Sequence, residues 1–130
     1  MLSFHPFIQF GRVENRLVVL NATKSPEIRS GRVIFFDSAT KEKVAERQIF
    51  SNSVTSIGLN QMGFKETQLP AILSPDLAGV PFGLGIWEGG RMLSMEHTHP
   101  PASFVLFGDR FGVQGVIKKR WSTRLLRDEL

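Results

Sequence analysis

The run VPFGLGIW, Val80 to Trp87, alternates with period two over eight residues, the spacing of an extended strand. Successive side chains of a strand point to opposite faces, so Val80, Phe82, Leu84 and Ile86 share one face. Gly83, Gly85 and Trp87 share the other, with Pro81 near the strand start. Glu88-Gly89-Gly90-Arg91 then suits a hairpin turn, because paired glycines supply the positive φ angles that a tight turn needs. Residues 92–95 return as the partner strand. Gly83 and Gly85 leave their face open to another backbone or a ligand, unless they only relieve twist.

The flanking segments extend the β pattern. Residues 16–21 (RLVVLN) read as a strand running into a turn, and residues 32–36 (RVIFF) as a second, rich in β-branched and aromatic residues. Residues 43–50 (KVAERQIF) close a hairpin with it. A helix over residues 39–48 is the weaker option, since the segment is short and lacks an apolar stripe. Residues 53–59 alternate poorly, with Val54 and Ile57 out of phase. Residues 64–69 read as a strand before Pro70, and Pro75, Asp76 and Gly79 mark a turn. Pro100-Pro101 breaks any ladder. Residues 103–107 (SFVLF) and 111–117 read as further strands, and Ser122 as the cap of a short helix through Leu126.

Short strands punctuated by turns indicate a sandwich or barrel, and alternation with one buried face indicates antiparallel pairing. The expected fold is therefore all-β: an antiparallel two-sheet sandwich of Ig-like or jelly-roll type, with a short C-terminal helix. A chain of 130 residues suits one domain with a real core. The sandwich is expected over residues 1–121, with a basic tail or short helix over 122–130.

Composition removes several classes of function. The chain has no cysteine, which excludes disulfides, thiolate nucleophiles and Cys-ligated zinc. That fits a reducing compartment, and the cytoplasm is the expected location. No window approaches the roughly 18 consecutive apolar residues of a membrane span. The opening MLSFHPFIQF lacks the basic and apolar regions of a signal peptide and reads as mature protein. The net charge of +4 is unevenly placed: residues 110–130 hold 6 basic and 2 acidic groups, with no acid between Arg110 and Arg127. Such a tail suits a protein partner, phosphate groups or an anionic surface, but a solvated end is the simpler reading. Phe111 and Trp121 lie among the cations, yet no recognised nucleic-acid module is present and nucleic acid is not expected as a partner. The terminal Arg-Asp-Glu-Leu resembles a retention signal and is read as chance.

Residues 79–121 resemble the end of the carbohydrate-binding C-terminal domain of O-antigen polysaccharide ABC transporters. The resemblance is carried by Leu73, Gly79, Phe82, Leu84, Ile86, Gly89, Gly90, Leu93, Ala102, Phe104, Gly115 and Trp121. It implies a sandwich that binds a glycan across one sheet in polysaccharide export, often as a homodimer, with no cofactor. The family's ATPase domain precedes this module, and this chain carries no G-x-x-x-x-G-K-[ST] phosphate loop. The chemistry of the hairpin supplies candidate ligand-binding residues. Trp87 offers a flat face for sugar C–H groups, and Glu88 and Arg91 offer charged hydrogen bonds. Trp87 as a packed core or interface residue is an equal alternative.

His97 and His99 form a His-x-His pair whose side chains share one face of an extended segment, the geometry of two ligands to one metal. HTHPP is locally similar to the His-x-His-Pro of JAMM-type metalloproteases, and the pair to that of cupins. The spacing of the further ligands matches neither, Glu96 lies on the opposite face, and His5 is a third ligand only if the N-terminus folds back. A Gly-x-Ser-x-Gly elbow is also absent. The sequence thus favours a non-enzymatic recognition module for a glycan, probing first Trp87, Glu88 and Arg91. A His97/His99 metalloenzyme and a structural subunit pairing through its strand edges are the alternatives.

Overall fold

A computed structural model describes residues 1–7, 11–97 and 110–127. The chain forms an antiparallel β-sandwich of two four-stranded sheets with one C-terminal helix. The strands are β1 (Leu2–Phe4), β2 (Val13–Asn21), β3 (Ser30–Asp37), β4 (Lys43–Phe50), β5 (Ser53–Gly58), β6 (Pro70–Leu73), β7 (Val80–Trp87) and β8 (Met92–His97), followed by helix α1 (Arg110–Leu125). The first sheet runs β1-β6-β3-β4 and the second β5-β2-β7-β8.

The alternation of β2 sets the layers. Val13, Asn15, Leu17, Val19 and Asn21 are all buried, while the residues between them face outward. The inward Leu17 and Val19 meet Ile57 of β5 and, from the first sheet, Val33, Phe35, Ile49 and Ile72. This cluster is the core, and removing such side chains from water is the main term that stabilises the fold.

The first sheet is apolar on its outer face as well. Leu2, Phe4, Ile34, Phe36, Ala71 and Leu73 point away from the core and pack under Trp121, Leu125 and Leu126 of the C-terminal segment. The Phe4 and Trp121 rings meet edge to face with centroids 5.0 Å apart. The Lys41 ammonium sits 4.5 Å from the centre of the Trp121 ring, a cation–π contact. The layers are therefore helix, first sheet, second sheet.

Three elements differ from the sequence reading. Residues 64–69 form turns, with Phe64 driven into the core, and the strand begins instead at Pro70. Pro70 serves there as the first residue of the strand, where proline is tolerated. Residues 111–117 are helical, so the helix starts at Arg110 and not at Ser122. The apolar residues that suggested a strand there lie in a helix capping a sheet that needs a cover. Residues 53–59 do form β5 through Gly58: Ile57 faces the core and Val54 faces outward, which is why the two were out of phase. The strand expected over residues 103–107 lies outside the described residues.

The β7–β8 hairpin forms as the sequence suggests. Glu88–Gly90 makes a single 3-10 turn, with Gly89 at φ 65° and Gly90 at φ 93°. Glycine adopts such angles at no steric cost.

Candidate functional site: the outer face of the second sheet

The two faces of β7 are reversed relative to the simplest reading of its alternation. The glycine face points into the molecule, where Gly83 and Gly85 are buried. It is not open. A Cβ on Gly83 would lie 2.5 Å from Cε1 and 2.9 Å from Nδ1 of the buried His5 ring. A Cβ on Gly85 would lie 3.1 Å from the Trp87 ring and 3.2 Å from Val13. The glycines thus make room for protein side chains.

The other face of β7 points outward, and the register shows what it joins. Leu84 pairs with Arg16 on β2 and Met95 on β8; Ile86 pairs with Glu14 and Leu93. Val80 pairs with Leu20, which pairs with Val54 on β5. Paired residues share a face. Leu20, Val54, Val80, Leu93 and Met95 therefore line one surface, with exposures of 39, 64, 48, 66 and 66%. Val18, Phe82, Leu84 and Ile86 are half-buried on its floor. Helix α1 covers the other sheet. A four-stranded face of this length measures roughly 20 by 25 Å, about 500 Å². That area includes the polar Glu14, Arg16 and Ser56, and its apolar part falls within the roughly 300–600 Å² of the largest apolar patch on a typical monomer, which is often functional.

The charges on this face are neutralised locally. Arg16 Nη1 donates to Glu14 Oε1 at 2.5 Å, and Arg16 Nε donates to Ser56 Oγ at 2.8 Å. The patch is apolar over most of its area and closes at one end in a paired, neutral group.

The residues proposed from sequence lie at the hairpin. Trp87 is half-buried, with its ring turned onto Gly85 on the inward face, and Arg91 is exposed. Glu88 opens the 3-10 turn, and its side chain lies outside the described residues. His97 ends β8 in register with Phe82; its side chain and all of His99 also lie outside them. Among the described residues, no three His, Asp or Glu side chains converge. His5 does turn back into the molecule, but onto Gly83.

The basic helix borders two depressions. One, of about 400 Å³, is lined by Phe36, Thr40, Lys41, Glu42, Lys43, Arg124 and Leu125. Two of its cations are engaged: Lys41 Nζ donates to the Ser38 carbonyl, and Lys43 Nζ to Glu46 Oε2 at 2.7 Å. The other is an open trough along Val116, Lys119, Arg120, Thr123, Arg124 and Arg127. Both read as a solvated basic surface. No helix among the described residues is long and apolar enough to cross a membrane.

No family model, curated protein or solved structure matches the chain.

The sequence reading located the hairpin but missed the exposed face. Its signal was present: residues 17–20 (LVVL) are continuously apolar, as in a strand covered on both sides. Only the fold shows that α1 packs on the outer face of the first sheet and, among the described residues, not on that of the second.

Proposed function

We propose that this chain is a non-enzymatic recognition module that works through the outer face of its second sheet and takes an apolar protein surface as its partner. One observation carries this: Leu20, Val54, Val80, Leu93 and Met95 share a single exposed face. Aliphatic side chains beside described polar groups that already bond one another, Glu14, Arg16 and Ser56, suit protein contact, where apolar area removed from water drives association.

The test is the double variant Leu93→Lys/Met95→Lys. These side chains support little of the fold, so its melting temperature stays within a few degrees of the parent. Binding of an environment-sensitive apolar dye to dilute protein falls sharply. A variant that unfolds shows instead that the face is structural, and removes this reading.

A second reading keeps glycan binding, as in the carbohydrate-binding domains of polysaccharide export. It attaches to the hairpin, where half-buried Trp87 and exposed Arg91 flank the 3-10 turn. Titration with bacterial polysaccharide fragments tests it: heat or fluorescence change lost in Arg91→Ala supports it, and no response from the parent protein removes it.

A further inference from the structure

We propose that the occupant of this face is a second copy of the chain, packed face to face about a two-fold axis. The inference rests on the reading of the face as a recognition surface. Three observations select a second copy.

The first is charge on the face. Its described charged side chains, Glu14 and Arg16, already pair with each other at 2.5 Å. Among the described residues, a charged partner finds no unmatched ion there. A neutral apolar surface matches it, and the chain itself supplies one. Isologous two-fold pairing is the commonest way a surface meets itself.

The second is charge elsewhere. The cations of α1 lie on the far side of the first sheet, since α1 packs on that sheet through Trp121 and Leu125. Stacked layers are about 10 Å apart, so in such a dimer the two helices are about 50 Å from each other. That is several times the Debye length of about 8 Å at physiological salt, and their repulsion is screened. Two copies meeting through their helices would instead bring Lys119, Arg120, Arg124 and Arg127 together.

The third is area. About 500 Å² from each copy buries about 1,000 Å² in total, the lower bound of a specific interface. The resulting order is helix, two sheets, two sheets, helix. Both basic surfaces then face outward on opposite sides of one particle.

The experiment uses the full chain. Sedimentation equilibrium over a concentration series is expected to show a mass of two chains, with the dissociation constant raised about 100-fold in Leu93→Lys/Met95→Lys. Because the chain has no cysteine, single nitroxide labels can be placed cleanly. Labels at Val54→Cys are expected within about 35 Å of their symmetry mates, and labels at Thr123→Cys at about 50 Å or beyond. A short Thr123 distance with a long Val54 distance overturns the arrangement. A single-chain mass up to about 1 mM overturns the second copy as occupant. In that case, dye binding that is lost in the lysine variant leaves the recognition face standing, whereas no dye binding by the parent removes both.

Discussion

The His5 imidazole occupies the place that a side chain on Gly83 would take, and this joins the start of the chain to the centre of the second sheet. A Cβ at position 83 would approach the ring to 2.5 Å, well inside contact distance. His5 is also held by its backbone, whose N–H donates to the Pro70 carbonyl at 3.1 Å. Gly83→Ala therefore forces a packed ring to move and is expected to cost about 1–3 kcal/mol. Adding His5→Ala removes the clash, so in a double-mutant cycle the alanine at 83 becomes far cheaper. Urea unfolding of the four proteins measures this, and additive costs would show that the two positions do not touch.

Leu125 and Leu93 are the same residue on opposite sides of the molecule. Leu125, the last residue of α1, is 4% exposed against the first sheet, and Leu93 is 66% exposed on the second sheet. Leu125→Ala opens a cavity and is expected to cost about 2–4 kcal/mol. Leu93→Ala is expected to stay within about 0.5 kcal/mol in dilute protein. Chemical denaturation at low concentration separates them, and equal costs would mean that both leucines are buried.

Asp37 is expected to make the fold sensitive to acid. Its Oδ1 accepts from the Ala39 N–H at 2.9 Å and its Oδ2 from Gln68 Nε2 at 2.7 Å. The backbone bond from Ala39 is the main cause that lowers its pKa, with Gln68 helping and burial opposing. A carboxyl whose folded pKa lies below its unfolded value stabilises fully above the unfolded value, about 3.9. That contribution is lost as pH falls from there through the lower folded pKa. Asp37→Asn is expected to flatten the drop in melting temperature below about pH 4, and an unchanged acid limb would count against the role of Asp37.

Trp87 separates packing from ligand contact. Its ring lies against the space above Gly85, so Trp87→Ala is expected to cost about 2 kcal/mol in the absence of any ligand. Arg91→Ala, at an exposed site, is expected to leave stability unchanged. Thermal unfolding checks both, and a fully stable Trp87→Ala would show that the ring serves something other than the fold.

The local chemistry of turns and strands was legible in the sequence. Gly89-Gly90 marked the hairpin because positive φ is a property of single residues. The alternation of β7 was equally plain, but not which face is the inner one. Apolar residues ordinarily face the core, yet here the glycines do, since His5 and the Trp87 ring need the space. The helix at residues 110–125 was hidden for a related reason. Gly112 and Gly115 weaken it locally, and it is held by Trp121 and Leu125 against a sheet distant in sequence. Val54 seemed to spoil the pattern of β5, and it did so because it belongs to the exposed face. The site is thus set by which sheet α1 covers, a long-range fact that no short window contains.

The most direct measurement is methyl NMR of the parent protein with a soluble paramagnetic probe, read across dilution. An uncovered second-sheet face that pairs with its own copy predicts strong broadening of the Leu20, Val54, Val80, Leu93 and Met95 methyls in dilute protein, protection of the same methyls as concentration rises, and a Leu125 signal shielded throughout. Methyls of Leu93 and Met95 that are as shielded as Leu125 at the lowest concentration would show the face already covered within one chain, and would contradict it.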